Sequence, residues 1–296
     1  MNVQQLKVFL KAAASRTISD AAEELGLKQP TVTFHLKKLE DTLGVELFRK
    51  RSGRLRLSEA GEDLLPYARK IAAMMDEAQR LMSEYRDQGR GKLRLGASYT
   101  PATYFLPAYL AEFQMKFPLT LPLLTVKQAS DVLAMLHRYE VDVAVVSLPD
   151  EPYPELHVIK LADDGLKLVL PPRHRLAGRQ NVAVSDLADE PFLVHETGST
   201  SRELAEHWAR ENGLRWNVRM ELGAVETIKE AVKHGMGIGL LPGRSVLREA
   251  ADGDLAVREL PGKVRPRTIS LVYRKEDSLA SQASRFIAFM RAKLDV

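Results

Sequence analysis

The sequence predicts an α/β protein with a small helical module at its N-terminus, then a long helix, then a larger region of alternating strands and helices. Three observations carry this. The first 60 residues place apolar side chains at helical spacing in short segments. An apolar stripe then continues through residues 58–88, roughly 30 residues or about 45 Å of helix. From Lys92 onward, short apolar runs alternate with helical patterns, the order expected of mainly parallel sheets. At 296 residues the chain has room for about two domains.

The N-terminal elements follow in turn. Leu6, Phe9, Leu10 and Ala13 define a first amphipathic helix. Ser19 is placed to cap a second helix, Asp20 to Leu25, whose early acids suit the helix dipole, and Gly26 ends it. Pro30 suits the first turn of a third helix that stops at Gly44, with Val32, Leu36, Leu39 and Leu43 on its buried face. A short helix, a turn with glycine and a helix with polar and basic residues near its start make the helix-turn-helix pattern. Gln29 has the chemistry to pair with adenine, and Thr31 and Thr33 to meet a thymine methyl or a phosphate. Lys37 and Lys38 suit phosphates. The following stretch alternates Leu47, Leu55 and Leu57 with charge around a Ser52-Gly53 turn, the pattern of a two-stranded wing with Arg49, Arg51 and Arg54 on it. Charge agrees: residues 1–60 hold 11 Lys and Arg against 7 Asp and Glu, and the remainder holds 32 of each, so the whole net charge of +4 lies in this module.

The run from Ser19 through Arg51, with Ala21-Ala22, Gln29-Pro30, Leu39-Glu40, Leu43-Gly44, Leu47-Phe48-Arg49 and then Ser58 to Gly61 in order and spacing, resembles the winged helix-turn-helix of LysR-type transcriptional regulators. Lys28 and Phe34 depart from the Ser and Arg common there, so an operator preference does not carry over. The resemblance implies a DNA-binding surface of Lys28, Gln29, Pro30, Thr31, Thr33, Phe34, Lys37, Lys38, Arg49, Arg51 and Arg54. It implies that the long helix, capped by Ser58 and carrying Leu64, Leu65, Ala68, Ile71, Ala72, Met75, Ala78, Leu81, Met82 and Tyr85, is a dimerisation arm. Domains follow as 1–60 for winged helix-turn-helix, 58–88 for linker and 92–296 for effector binding, the boundary falling at Gln88-Gly89-Arg90-Gly91.

In the C-terminal region the pattern gives a strand KLRLGA, a helix from Pro101 to Lys116, a strand LTLPLLTV, a helix from Ser130 to Arg138 and a strand VDVAVVSL. Strands LKLVLP, PFLVHE, NVRMEL, GIGLLP and RTISLVYR follow, with helices at about Ser199–Asn212, Val225–His234 and Leu279–Leu294. This order is similar to the effector domain of the LysR family, which implies two periplasmic-binding-protein-like subdomains: I, about 92–162 and 268–296, and II, about 163–267. The chain would cross between them near Leu161–Asp164 and Val264–Arg267.

Ligands of open α/β sheets bind beyond the carboxyl ends of strands. Ser98, Tyr99 and Thr100 follow one strand, and Thr197, Gly198, Ser199 and Thr200 follow another, each at the start of a helix. Hydroxyls and free N–H groups there suit a small anion, or else simply cap the helices. Ser147 and the Val225-Glu226 pair end further strands, and Arg202 is either a fixed charge for the ligand or an exposed helix residue.

Other functions are excluded by what the sequence lacks. No cysteine is present, which removes disulfides, thiolate metal sites and cysteine nucleophiles and fits a cytoplasmic protein. No 18-residue run is free of charge, so no membrane partner is expected, and Lys7 and Lys11 interrupt any leader-like apolar stretch. No G-x-S-x-G elbow, phosphate-loop motif or H-E-x-x-H appears, so neither an enzyme, a cofactor nor a metal is expected. Gly235-Met-Gly-Ile-Gly239 enters a strand instead of leaving one, and is read as close backbone packing. The expected partners are double-stranded DNA bearing an inverted repeat, a small anionic effector and further copies of the chain as homodimer or homotetramer, with RNA polymerase as an additional candidate. The alternative is a constitutive DNA-binding regulator whose effector lobe serves only oligomerisation.

Overall fold

The computed structural model describes residues 1–51, 54–86, 91–275 and 281–295. It forms two compact units, Met1–Gly91 and Lys92–Val296.

In the first unit, α1 (Val3–Ala14) starts with a capping box between Asn2 and Gln5. Helix α2 (Ile18–Leu25) is capped by Thr17, not by Ser19. A capping box needs an acid three residues beyond the cap, and Thr17 with Asp20 has that spacing: each backbone N–H donates to the other's side chain, at 3.0 and 3.1 Å. Gly26 ends α2 at φ 63°, a left-handed turn that costs glycine least. Helix α3 (Gln29–Leu43) follows with Pro30 in its first turn. Strands β1 (Phe48–Arg51) and β2 (Arg54–Leu57) pair antiparallel, Phe48 opposite Leu57 and Arg51 opposite Arg54. The Ser52-Gly53 turn between them lies outside the described residues. Helix α4 (Glu59–Arg86) begins where Gly61 N–H donates to Ser58 Oγ at 3.0 Å.

Leu6, Phe9, Ala21, Val32, Leu36, Leu39, Leu47 and Ala68 make one core. Leu43, expected on the buried face of α3, is 37% exposed in the last turn before Gly44, and it is not part of that core. Along α4, Ala68 and Ala72 are buried, whereas Tyr67, Met74 and Met82 are exposed. The sequence segment from Asp87 to Arg90, which holds most of the expected hinge, lies outside the described residues.

The second unit contains β3 (Gly91–Ser98), α5 (Tyr99–Tyr104), α6 (Leu106–Lys116), β4 (Thr120–Lys127), α7 (Ala129–His137), β5 (Val143–Pro149) and β6 (Leu156–Asp163). Then come β7 (Leu166–Leu170), β8 (Pro191–His195), α8 (Thr200–Glu211), β9 (Asn217–Leu222), α9 (Val225–Lys233), β10 (Ile238–Pro242), α10 (Leu247–Asp252), β11 (Ala256–Glu259), β12 (Arg267–Arg274) and α11 (Ser281–Leu294). They build two lobes, each around a five-stranded sheet, ordered β4-β3-β5-β12-β6 and β11-β7-β10-β8-β9. Leu93, Phe113, Phe286 and Ile269 centre one core, and Phe192, Trp208 and Leu168 the other.

Two expectations change here. The sheets are mixed, not mainly parallel: β12 runs antiparallel to β5 and β6, and β7 runs antiparallel to β10 and β11. The edge strands β6 and β11 are not among the strands expected from the sequence. The helix expected from Pro101 to Lys116 is two helices, α5 and α6, broken at Phe105 (φ −127°, ψ −58°). Pro107 forces the break, since its ring clashes with a carbonyl four residues back and it has no N–H to continue the ladder. At the Gly235–Gly239 stretch, a Cβ on Gly237 would overlap the Pro191 carbonyl oxygen, so glycine lets β10 lie against β8. The start expected for the last helix, near Leu279, lies outside the described residues.

Candidate functional site

The first surface of interest is the outer face of α3. Val32, Leu36 and Leu39 hold the helix to its core. That leaves Lys28, Gln29, Pro30, Thr33, Phe34, Lys37 and Lys38 exposed, with Thr31 half-buried. Phe34 is 60% exposed, with the Lys38 ammonium 5.7 Å from its ring centre. Gln29 Oε1 accepts from Ser19 Oγ at 3.1 Å, which ties the side chain to α2 through one of the oxygen's two acceptor sites. Glu40 Oε1 accepts from Leu47 and Phe48 N–H at 2.7 and 3.3 Å, which pins the hairpin to α3. Arg49 is exposed on that hairpin, and Arg51 and Arg54 are paired in register at its outer end. A projecting helix with polar and basic side chains beside a basic hairpin has the shape and charge of a duplex-binding module.

The second is a cleft of about 390 Å³ between the two lobes of the C-terminal unit. Its floor lies where β3, β5 and β12 meet the crossovers. Ser98 Oγ accepts from Ser147 N–H at 2.9 Å, and Thr100 Oγ1 accepts from Arg267 Nη2 at 3.3 Å. Ser147 Oγ donates to Asp164 Oδ2 at 3.4 Å, and Arg267 Nη1 lies 3.5 Å from the same oxygen, without hydrogen-bond geometry. Arg267 is 4% exposed, and its Nε and Nη1 have no hydrogen-bond partner. His195, 6% exposed, lines the same cleft with Nε2 likewise unpartnered.

Electrostatics follow from this burial. Desolvation pulls Arg267 below its usual value although Asp164 opposes the shift, and pushes the Asp164 carboxyl up although Arg267 opposes it. His195 falls to about 4, first through burial and then through the charges of Arg267 and Arg202, so its imidazole is neutral at pH 7. At the rim, Tyr104 donates its hydroxyl to Glu226 Oε1, and Gln128 Nε2 donates to Glu196 Oε1 at 3.0 Å. The buried Lys229 ties Glu226 and Glu249 together at 2.8 and 2.7 Å.

Of the ligand-site residues expected from sequence, the structure brings Ser98, Tyr99, Thr100, Ser147, Ser199, Thr200 and Val225 to this cleft. Ser199 also caps α8, accepting from Arg202 N–H at 3.2 Å and donating to the Glu196 carbonyl, so its hydroxyl is engaged. Thr197, Gly198 and Arg202 are not among the lining residues. Thr197 bonds to Glu221, and Gly198 forms the turn at φ 86°. Arg202 spends its fork on Glu206, Glu221 and the His195 carbonyl, which corrects its reading as a ligand charge. Sequence reasoning missed Arg267, His195, Asp164, Gln128 and Glu196. One signal for Arg267 was present: an arginine opens the strand RTISLVYR just where the chain returns between lobes. Among the described residues, no group of His, Asp and Glu has the arrangement to hold a metal ion.

Comparison with known proteins adds the family. Residues 3–62 match the bacterial regulatory helix-turn-helix protein, lysR family, and residues 86–295 match the LysR substrate binding domain. The chain is 32% identical over 291 residues to the transcriptional regulator CbbR of Rhodospirillum rubrum, covering 98% of this chain and 96% of that one. It is 29% identical over 290 residues to the transcriptional activator CmpR of Synechocystis, covering 98% and 95%. Among solved structures, a full-length OxyR of Pseudomonas aeruginosa, in a variant with one cysteine replaced by aspartate, superposes with a TM-score of 0.72 at 23% identity, over 100% of this chain and 95% of that one. The regulatory domain of Synechocystis CcmR in complex with 2-PG gives 0.62 at 26% identity, over 69% and 97%.

Proposed function

The chain belongs to the LysR family of transcriptional regulators, and from that premise we propose how its two units divide the work. Helix α3 enters a major groove with Gln29, Thr31 and Thr33 toward the bases, while Lys28, Lys37, Lys38 and the hairpin arginines Arg49, Arg51 and Arg54 meet phosphates. The exposed apolar side chains of α4, including Tyr67, Met74 and Met82, pair with a second copy. Two-fold pairing then requires an operator that is an imperfect inverted repeat, and a homotetramer places two such pairs on it. No helix among the described residues is long and apolar enough to cross a membrane, in keeping with a regulator that works on DNA.

The cleft binds a small anion that sets the regulator's state. One observation carries this reading: a buried arginine, its Nε without a hydrogen-bond partner and its Nη1 outside hydrogen-bond geometry, lines a cavity beside the hydroxyls of Ser98, Thr100 and Ser147. Leaving such donors unsatisfied costs free energy that a bound anion recovers. That a related regulatory domain, from CcmR, was solved with 2-PG supports a small-ligand role for this one. Calorimetry of the full chain against phosphate and carboxylate compounds tests it, with Arg267→Lys as the comparison. Lysine keeps the charge but loses the fork, so affinity should fall by about tenfold or more. Absence of binding by the native chain, with an unchanged operator footprint, would favour a constitutive regulator whose C-terminal unit only assembles copies.

A further inference from the structure

We propose that the cleft's ligand has two ends: an anionic head held by Arg267, and a hydroxyl or ammonium donor a few bonds away that Glu196 and Glu226 read. This rests on the effector reading above and narrows it.

The cleft is polar in two opposite senses. Its floor presents the Arg267 guanidinium, whose Nε has no hydrogen-bond partner and whose Nη1 has only the Asp164 carboxylate 3.5 Å away, together with the unpartnered Nε2 of His195. Its rim presents two carboxylates, Glu196 and Glu226, both among the lining residues. Helix α5 runs from one to the other. Thr100 accepts from Arg267, and Tyr104, four residues on and on the same helix face, donates to Glu226. Four residues of helix advance about 6 Å, so floor and rim are separated by the length of a small organic molecule.

Each rim carboxylate is held in place in part from the facing lobe, Glu226 through Tyr104 and Glu196 through Gln128. Lys229 also positions Glu226. Gly223 lines the cleft beside Glu196, and a Cβ there would come within 3.2 Å of Glu196 Oε2. A ligand anionic at both ends would set its second charge against two fixed carboxylates. A ligand ending in a methyl group would desolvate them without giving a partner. A donor end does neither. It also joins both lobes, since Arg267 belongs to the lobe of β12 while Glu196 and Glu226 follow β8 and β9 of the other.

The test uses the full chain, titration calorimetry and two matched series of probes. The phosphate-headed series is propyl phosphate, phosphoethanolamine, glycerol phosphate and phosphonopropionate. The carboxylate-headed series is butyrate, γ-aminobutyrate, γ-hydroxybutyrate and succinate. Within the series whose head binds, the hydroxyl- and ammonium-tailed probes should bind about tenfold tighter than the methyl-tailed and doubly anionic ones. In Glu196→Gln/Glu226→Gln the ammonium-to-methyl ratio should fall below about threefold. Equal or tighter binding of the methyl-tailed or doubly anionic probes overturns the two-ended ligand while leaving the anion site standing. A ratio unchanged in the double variant also overturns it. Silence of both series, in native chain and Arg267→Lys alike, overturns the effector reading and this inference with it.

Discussion

His195 should make the second lobe lose stability as the solution turns acidic, by an amount the structure sets. Its imidazole is buried beside Arg267 and Arg202 and titrates at about 4 in the fold, against 6.5 when free. Between those values the unfolded chain binds a proton that the native chain refuses, so stability falls as pH drops through that window. The residue contributes nothing to the pH slope well above 6.5. At pH 5 the deficit is about 2 kcal/mol, and it approaches about 3 kcal/mol below pH 4. Asp164 faces the same floor with its carboxyl shifted upward, which favours the native state in acid and so acts in the opposite sense. Glu196 and Glu226 also line the cleft.

A comparison of variants isolates the imidazole from these groups. His195→Gln keeps a polar side chain of similar reach but cannot titrate. Urea denaturation followed by tryptophan fluorescence suits the measurement, because Trp208 and Trp216 are the two tryptophans of the chain and both lie with His195 in the second lobe. From pH 7 to pH 5 the native chain should lose about 2 kcal/mol more than His195→Gln. Identical pH slopes would show that the imidazole is not held neutral, and would remove His195 from the electrostatics of the cleft.

On the DNA side, Lys37→Ala should weaken binding to specific and random duplexes alike and lower the log–log salt slope by about one. Gln29→Ala should lose about 1–3 kcal/mol of discrimination among operators, and retained discrimination would assign the reading to other side chains. Met74→Glu/Met82→Glu places charge on the exposed stripe of α4, and sedimentation should then show smaller assemblies than the native chain, whereas an unchanged distribution would exclude that face from assembly. Gly237→Ala sets a methyl against the Pro191 carbonyl and should cost about 1–3 kcal/mol in denaturation, with no loss if β10 and β8 can part without penalty.

Legibility in the sequence followed how local each cause was. Gly26 and Gly44 end α2 and α3 with their own backbone, and Pro30 fits the first turn of α3 from its own ring, so this region could be read residue by residue. Thr17 replaced Ser19 as a cap because a reciprocal bond three residues on outweighs a single hydroxyl. The break at Phe105 was also local, since Pro107 cannot continue a helix, and greater weight on that proline would have found it. By contrast, the antiparallel β12 depends on where the chain returns after a whole lobe, which no short window contains. The cleft shows the same division. Ser98 and Thr100 announce themselves where a strand gives way to a helix, whereas Arg267 meets Thr100 across 167 positions, and His195 comes under the charge of Arg267 from a distant part of the chain.

That long-range meeting bears on how a ligand can move the lobes. Asp164 lies just after β6 on one crossover, and Arg267 opens β12 at the end of the other. Asp164 N–H donates to the Arg267 carbonyl at 3.0 Å, so the two crossing strands are joined at the hinge itself. Asp164 is bound to both lobes as well: Ser147 of the first lobe donates to its Oδ2, and Arg244 N–H of the second donates to its Oδ1 at 3.3 Å. The anion proposed for Arg267 would compete with Asp164 for the same guanidinium, and any weakening of that pair would be felt by the contacts Asp164 makes to either lobe. Coupling of about 1–3 kcal/mol is typical between linked sites, and one hydrogen bond to a charged group is of that size. On the proposed anion reading, a shift in the balance of this single carboxylate is of the size needed to bias the angle between lobes, without a long path of intervening contacts.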